Sequence, residues 1–402
     1  MKEQDNGLLA SATGIELCHT VGGQFCSKLL GDLGMEVLKI EQPEGDALRK
    51  TGPFPADGPH PEKSGLFLYL NTNKKSVTIN LETADGRELF RSLLAKADIL
   101  IEDQPTGALS TLGLDYEQLK PICRNIVMTS ITPFGQTGPY ADYKAYPLTG
   151  YHGGGQGNLL RNEHLERPPV RAGAYVNEYE AGIGAAVVTL AAHYRQRMQG
   201  HGEHIDFSKF QWNASLNRAN ICRFFNANLH ETRHTYKLPW GGVIKCKDGY
   251  VILLANEDHH WRALTEMMDK PSWALDKRFD KAFDRAKNGV ELTGLVAGWF
   301  GGRAKVELHA LALQHGVPLG IVRTPADLVE APQLVYRRFF TSITHPDAGA
   351  VTYPTYPYRF SETPARPFAP APRLGQHTAD ILTHRLSLSG PQLAQLRKLG
   401  VI

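Results

Sequence analysis

The sequence is poor in the features that mark secreted, metal-binding or membrane proteins. Its five cysteines include no Cys-x-x-Cys pair and no zinc spacing, so we expect reduced, structural thiols and no metal site. No apolar run approaches the roughly 18 residues of a membrane span, and the first residues lack a signal-peptide pattern. The formal net charge is only +3, which argues against nucleic acid or a membrane surface as a partner. We therefore expect a cytoplasmic protein.

Strand-like runs alternate with helix-like segments in the first half of the chain. The stretches "MEVLKIE", "SVTINL", "ILIED" and "NIVMTSI" have the composition of strands, and amphipathic segments separate them. Such alternation is typical of βαβ units with a mostly parallel sheet. The pattern predicts an α/β fold.

The pattern changes near residue 235. The stretch "VIKCKDGYVILLA" has two β runs around Asp248-Gly249, which predicts a hairpin, and helical segments follow it. A chain of 402 residues is also long for a single core. We expect residues 1–225 to form the N-terminal part of a large domain, 235–325 a smaller α+β domain, and 335–402 a return to the large domain.

Two stretches carry candidate chemistry. In "AYVNEYEAG", Glu178 and Glu180 lie near a helix start, where the helix dipole favours carboxylates without any catalytic role. The stretch "YHGGGQG" has a glycine run whose N–H groups could hold an oxyanion. Its residues are His152, Gly153, Gly154 and Gly155. The run matches neither a Walker A loop nor G-x-G-x-x-G. From these residues alone, the chain is an α/β enzyme with a site built from loops.

Taken together, nine stretches give the chain a resemblance to a known family. They are "GGQFCSKLLGDLGMEVLKIEQPEGD", "LNTNKKSVTINL", "ADILIED", "GLDYEQL", "SITPFGQTGPY", "GHGEHIDFS", "CKDGYVIL", "DLVEAPQL" and "LGQHTADIL". In this order they resemble the class III CoA-transferases, which include formyl-CoA:oxalate and carnitine CoA-transferases and the related α-methylacyl-CoA racemases. The resemblance implies a large Rossmann-like domain built from both chain ends, an inserted smaller domain, and two interlocked subunits.

The resemblance also implies a nucleophile. In the transferases an Asp acts within "V-x-D-x-x-A-G", and here the matching residues run from Val176 to Gly182 with Glu178 at the Asp position. A carboxylate is ionised at neutral pH and needs no general base to attack a thioester. The implied route passes through a mixed anhydride and a glutamyl-CoA thioester, with water excluded. Residues 153–155 would donate to the oxyanions, and Glu180 would be a helix-start carboxylate.

The implied ligand is coenzyme A, as part of the substrate rather than as a tightly bound cofactor. An acyl-CoA and a carboxylic acid are the expected partners. The residues that we expect to contact CoA are Val21, Gly22, Asn71, Asn73, Lys74, Lys75, Lys144 and Tyr146. Arg49, Lys74 and Lys75 are further cations for the phosphates. The chain has Gln42 where transferases often carry an arginine near the adenosine.

Two alternatives stay open. Racemases of the family carry a "G-H-D" whose His is an acid/base; the matching positions here are Ala145, Tyr146 and Pro147, although His152 is close in sequence. The altered nucleophile would also suit a non-catalytic subunit that pairs with an active homologue. We expect a homodimer, with a heterodimer as the alternative.

Overall fold

The computed structural model describes residues 7–56, 58–160, 166–235, 238–363 and 367–402. The chain divides into two compact units. The first unit comprises Met1–Glu231 together with Phe339–Ile402, and the second comprises Thr232–Arg338. The first unit is therefore discontinuous in sequence. It contains both candidate stretches.

A six-stranded sheet forms the centre of the first unit. Its strands are β1 (Thr13–Leu17), β2 (Glu36–Glu41), β3 (Lys74–Thr78), β4 (Ile99–Glu102), β5 (Val127–Thr132) and β6 (Glu203–Ser208). They lie in the order β3-β2-β1-β4-β5-β6, and every neighbouring pair is parallel. The expected α/β fold with a parallel sheet is confirmed. The order reverses direction between β1 and β4, and open α/β sheets bind ligands at the carboxyl ends of strands on either side of such a reversal.

Nine helices accompany this sheet in the described N-terminal part of the first unit. They are α1 (Val21–Asp32), α2 (Gly65–Leu70), α3 (Ala84–Leu94), α4 (Ala108–Thr111), α5 (Tyr116–Leu119), α6 (Pro147–Gly153), α7 (Val176–Gln199), α8 (Lys209–Leu216) and α9 (Arg218–Ala227). Side chains of α1 and α7 pack on one face of the sheet, against residues such as Ile99 and Ile101. Side chains of α3 pack on the opposite face, against Leu100. The sheet is thus buried on both sides, as parallel sheets generally are.

The second unit is a smaller α+β body. Its strands are β7 (Gly242–Cys246), β8 (Gly249–Leu253) and β9 (Leu319–Val322), and its helices are α10 (Asp258–Met267), α11 (Ala282–Lys287), α12 (Gly289–Phe300), α13 (Lys305–His315), α14 (Pro325–Val329) and α15 (Pro332–Tyr336). The hairpin predicted at Asp248-Gly249 is confirmed, since β7 and β8 pair antiparallel with Cys246 opposite Gly249.

The chain then returns to the first unit. This part contains β10 (Phe340–His345), β11 (Gly349–Pro354), α16 (Thr378–Leu386) and α17 (Gly390–Lys398). Ile381, Leu382 and Leu393 of the two helices join the core that α3 covers. No helix in the described ranges combines the length and the apolar character that a membrane span requires.

Candidate active site

The candidate site lies where the sheet order reverses. The loop between β1 and α1 carries His19 and Thr20, and the loop after β4 begins with Asp103. The carboxylate of Asp103 accepts hydrogen bonds from the N–H groups of His19 (2.8 Å) and Thr20 (2.7 Å) and from the Thr20 hydroxyl (2.6 Å). Thr20 also caps α1, because its hydroxyl accepts from the N–H of Gly23. Asp103 therefore fixes the start of α1 across the reversal point.

Two titratable groups in this loop have shifted pKa values. Burial raises the pKa of Asp103, although His19, Thr20 and Lys209 oppose the shift. A hydrogen bond to Asp46 raises the pKa of His19, against the effect of its own burial. The first shift follows from the withdrawal of a carboxylate from water, and the second from a carboxylate that bonds the imidazole.

The crossing of α1 and α7 depends on two glycines. A Cβ on Gly182 would come within 2.7 Å of the carbonyl oxygen of Gly22, and a Cβ on Gly22 would lie 3.0 Å from both the carbonyl oxygen and Oε2 of Glu178. Real Cβ atoms do not approach a backbone oxygen as closely as 2.7 Å, so only glycine at 182 permits this crossing. The helices consequently meet backbone to backbone at the level of Glu178.

Glu178 lies in the first turn of α7 and is only 5% exposed. Its Oε2 accepts a hydrogen bond from the N–H of Gly22 (3.2 Å) near the N-terminus of α1. The ammonium of Lys209 lies 3.0 Å from Oε2 and 3.3 Å from Oε1. A helix N-terminus and an ammonium both stabilise an anion. The structure therefore holds a buried, ion-paired carboxylate at the position that the sequence indicates for the nucleophile.

The backbone before Glu178 adopts an uncommon conformation. Ala174 and Tyr175 have φ values of 57° and 60°, in the left-handed region that residues with a Cβ rarely occupy. Tyr175 is the N-cap of α7, and its carbonyl accepts from the N–H of Glu178 at 2.9 Å. Two successive left-handed residues turn the chain sharply into α7. Such conformations are most often found at functional sites.

The glycine run lies beside the start of α7 but does not offer the expected donors. Gly153 ends α6, while the N–H groups of Gly154 and Gly155 donate to the carbonyls of Gly150 and His152, both at 3.0 Å. The N–H groups of Gly154 and Gly155 are therefore engaged by the backbone, and their role as oxyanion donors stays a prediction. The ring of His152 occupies the space above Gly157.

The same segment contacts α7 through side chains. Asn177, the residue before Glu178, donates from Nδ2 to the carbonyl of Pro147 at 3.1 Å. Gln156 donates from Nε2 to Glu180 at 3.3 Å. Residues 147–156 thus pack against the first turn of α7, and Glu180 is bonded to a neutral amide.

Three residues expected to contact CoA are buried in internal bonds instead. Lys74 is 4% exposed, and its ammonium bonds Glu16 at 2.7 Å. Burial lowers the pKa of Lys74 to about 8, with Glu16 opposing the shift. Asn71 donates to Gln24 at 2.9 Å, and Arg49 forms a two-point ion pair with Glu41 at 2.7 and 2.9 Å. Buried charges require such partners, so these groups are engaged within the protein, and their contact with CoA stays a prediction.

Asn73 and Lys75 lie away from the reversal point. Asn73 bonds Asp32, the last residue of α1, at 2.9 Å, whereas the site faces the first residues of that helix. The ten residues between Gly22 and Asp32 span roughly 15 Å along the axis. Lys75 pairs with Glu36, the first residue of β2, at 2.7 Å. Both residues therefore lie at the amino edge of the sheet, and their contact with CoA stays a prediction.

Four other residues expected to contact CoA lie at the carboxyl edge. Val21 and Gly22 open α1, and the side chain of Val21 packs on α2. Lys144 and Tyr146 are exposed. Their segment meets the loop after β4, because the Thr106 hydroxyl donates to the carbonyl of Ala141 at 3.0 Å. A cavity of about 190 Å³ lies at the same edge. Its lining includes Leu17, His19, Ile40, Gln42, Ile79 and Gln104.

The sequence analysis does not identify Lys209, Thr20 or Asp103 as members of the site. Each directly follows a strand of the central sheet or lies within three residues of its end. That placement is a usable signal, because parallel strands bring their carboxyl ends to one edge. Among the described residues, no group of three or more His, Cys, Asp or Glu side chains is arranged to hold a metal ion.

A family model and similar proteins of known name all point to one enzyme family. The model of CoA-transferase family III matches residues 9–378. Succinyl-CoA–D-citramalate CoA-transferase from Chloroflexus aurantiacus is 30% identical over 393 residues, which cover 96% of each chain. The BbsE subunit of succinyl-CoA:(R)-benzylsuccinate CoA-transferase from Thauera aromatica is 31% identical over 375 residues, or 90% of each chain.

A solved structure agrees with the sequence comparisons. The crystal structure of a CaiB/BaiF family protein from Brucella suis has a TM-score of 0.86 and 28% identity, and the match covers 94% of this chain and all of the other. The family model spans most of the chain, and the structural match extends over both compact units. The chain therefore belongs to CoA-transferase family III and is a CoA-transferase of the CaiB/BaiF type.

Proposed function

We propose that this enzyme transfers CoA from an acyl-CoA donor to a carboxylic acid, with Glu178 as the nucleophile. The observation that carries the proposal is the position of Glu178 beside the N-terminus of α1, where the sheet order reverses. Its carboxylate is almost completely buried and is ion-paired with Lys209. Glu178 attacks the thioester to form a mixed anhydride and CoA thiolate. The thiolate attacks the glutamyl carbonyl of the anhydride, which gives a glutamyl-CoA thioester and releases the donor acid. The acceptor carboxylate attacks this thioester and releases CoA thiolate, which then attacks the acceptor acyl group of the second anhydride and frees Glu178. Low exposure of Glu178 supports the route, since water would hydrolyse both intermediates.

Relatives suggest the substrate class. Two of the compared enzymes are named for succinyl-CoA as the donor, with D-citramalate or (R)-benzylsuccinate in the other half of the name. We propose succinyl-CoA as the donor and a dicarboxylic acid as the acceptor. Mass spectrometry of succinyl-CoA mixed with a panel of dicarboxylic acids and the purified chain tests this. At least one new acyl-CoA should form together with free succinate. Hydrolysis to free CoA alone, or no reaction with any acid, would contradict the proposal.

CoA is proposed to lie along the carboxyl edge of the sheet. The cavity at this edge is proposed to take the nucleotide end, and the exposed side chains of Lys144 and Tyr146 to contact CoA beside it. A charge-assisted phosphate contact contributes about 1.5–3 kcal/mol, so Lys144→Ala should raise the KM for succinyl-CoA about ten-fold or more. An unchanged KM would place CoA elsewhere.

A role as one subunit of a hetero-oligomer is the second candidate. It is favoured by glutamate at position 178, where the family has aspartate, and by the relative named as a subunit, BbsE. The purified chain then shows no exchange by itself and gains it when a homologous chain is added. Exchange by the single purified chain would exclude this candidate.

We propose that the chain acts as a homodimer, in the interlocked form that the resemblance implies. An apolar stripe on α7 supports assembly, since four of its side chains are between 47 and 69% exposed. They are Ile183, Val187, Tyr194 and Met198. An apolar groove of about 450 Å³ adjoins the stripe and is lined by Phe25, Ile183 and Val187 among others. Exposed apolar patches of this kind mark interaction surfaces.

Sedimentation at nanomolar protein tests the homodimer. A single species of twice the 44.4 kDa chain mass is expected, because an interlocked pair cannot separate without unfolding. Val187→Lys places a charge on the stripe and should lower the yield of folded dimer, whereas Lys120→Ala, at a half-exposed side chain on another surface, should not. A stable, folded 44.4 kDa species would contradict the proposal.

A further inference from the structure

The most unusual group near the proposed nucleophile is a buried lysine. Lys209 is the first residue of α8 and is only 7% exposed. Strand β6 ends at Ser208, so Lys209 lies at the carboxyl edge of the sheet. Its ammonium contacts both oxygens of Glu178, at 3.0 and 3.3 Å, and lies 3.4 Å from the Thr20 hydroxyl. A buried ammonium is costly unless paired, and here its partner is the carboxylate of the proposed nucleophile.

We propose that Lys209 is a catalytic residue that stabilises the oxyanion formed when Glu178 attacks the acyl-CoA carbonyl. The inference rests on the proposed function and adds to it the source of electrostatic stabilisation. In the described part of the chain, the donors that reach the Glu178 carboxylate are the Gly22 N–H and this ammonium. Gly154 and Gly155, the expected donors, are bonded to backbone carbonyls instead.

The charge balance of the step supports this role. Glu178 forms a C–O bond to the thioester carbon, and the carbonyl electron pair moves to its oxygen. Collapse breaks the C–S bond, and the electron pair leaves on sulfur as CoA thiolate. No proton moves, and one negative charge passes from carboxylate to oxyanion to thiolate. A single ammonium within reach of each group can balance that charge at every stage.

The interaction strengthens during the reaction. In the resting enzyme the negative charge of Glu178 is shared by two oxygens, whereas in the intermediate it is concentrated on one. An ammonium in a site shielded from water attracts the concentrated charge more strongly, and only such a difference accelerates a reaction. The flexible four-carbon stem of lysine lets Nζ move the short distance from the carboxylate to the new oxyanion. Among the described residues, Asp103 interacts electrostatically with both Lys209 and His19.

Two variants separate the charge of Lys209 from its bulk. Lys209→Met keeps the length without the charge, and Lys209→Arg keeps the charge. The measurement is single-turnover acylation of Glu178 by succinyl-CoA, followed by hydroxylamine capture and peptide mass spectrometry. Loss of an oxyanion donor typically costs 10²- to 10³-fold, so K209M should acylate at least about a hundred-fold more slowly. K209R should stay within about ten-fold of the wild type, and calorimetry should give both variants the wild-type affinity for free CoA.

A pH series separates oxyanion stabilisation from simple support of an ionised Glu178. Removing the cation favours the protonated form of a buried carboxylic acid, so the acidic limb of the K209M rate profile should move to higher pH. The plateau rate should nevertheless stay about a hundred-fold low up to pH 9. Full recovery of the rate at high pH, wild-type acylation by K209M, or a K209R rate as low as that of K209M would overturn the inference. If the wild type forms no hydroxylamine adduct at Glu178, the proposed function fails together with this inference. If the wild type forms the adduct and K209M forms it at the same rate, only this inference is overturned.

Discussion

Replacing Glu178 with glutamine is expected to reduce CoA transfer by at least about a thousand-fold. The amide has almost the same volume but no charge and negligible nucleophilicity, so no anhydride can form. The buried position of Glu178 leaves little room for water or a neighbouring group to substitute. Exchange between succinyl-CoA and an acid acceptor, followed by mass spectrometry, gives the rate.

The neighbouring carboxylate supplies a matched control. Glu180 is two residues away, partly exposed and bonded to Gln156, so Glu180→Gln should change the rate only a few-fold. Thermal unfolding should show both variants folded. Turnover near the wild-type rate in Glu178→Gln, or an equal loss in Glu180→Gln, would remove Glu178 from the mechanism.

Glu16→Gln is expected to destabilise the first unit by about 3–5 kcal/mol, because it leaves the buried ammonium of Lys74 without a counter-charge and weakens the pairing of Lys39. Glu16 is fully buried and accepts from Lys39 (2.8 Å), Lys74 (2.7 Å) and the Ser27 hydroxyl (2.6 Å). Lys39 also bonds Asp46 at 3.1 Å. Urea denaturation followed by circular dichroism gives the change in the free energy of unfolding.

The contribution of Glu16 to the free energy of unfolding should depend on pH in a defined direction. Burial alone would raise the pKa of Glu16, but Lys39 and Lys74 hold it below its ordinary value. Because the folded-state pKa lies below the unfolded value of about 4.5, the stabilisation is present above that pH and is lost as the pH falls further. Glu16→Gln should lose this acid-dependent contribution. The control is Glu36→Gln, at a partly exposed cluster with Lys75 and Arg385, which should cost about 1 kcal/mol or less for each pair. Equal effects of the two substitutions would contradict a special role for the buried cluster.

Local signals in the sequence predict most of the central fold. Thr83 caps α3 through the N–H of Gly86, and Gly34 follows α1 with a φ of 111°, as the residue types indicate. Strand β1 is not identified from the sequence. Its five residues include the charged Glu16, which is buried because Lys39 of β2 and Lys74 of β3 pair with it. No local pattern reveals such a long-range pairing.

The candidate site is only partly predictable for the same reason. A family pattern indicates Glu178, but the pairing with Lys209 joins residues 31 positions apart. Lys74 and Lys75 are adjacent and chemically identical in sequence, yet one is buried and the other 40% exposed, because successive side chains of a strand point to opposite faces. Which of two lysines meets solvent depends on what covers each face of the sheet, and that is a tertiary property.

Helix α7 carries both the proposed nucleophile and the exposed apolar stripe. Its first turn is held against α1 by glycines that already touch, so a lateral shift of about an ångström would break the 3.2 Å bond between Gly22 and Glu178. A partner that packs on the apolar stripe therefore contacts the same helix that positions the carboxylate of Glu178. Suppose that substrate binding and association of the two subunits favour the same position of α7. By thermodynamic linkage, the free energy by which association strengthens substrate binding then equals the free energy by which substrate strengthens association. Under the proposed assembly, α7 therefore couples subunit association to substrate binding in each subunit.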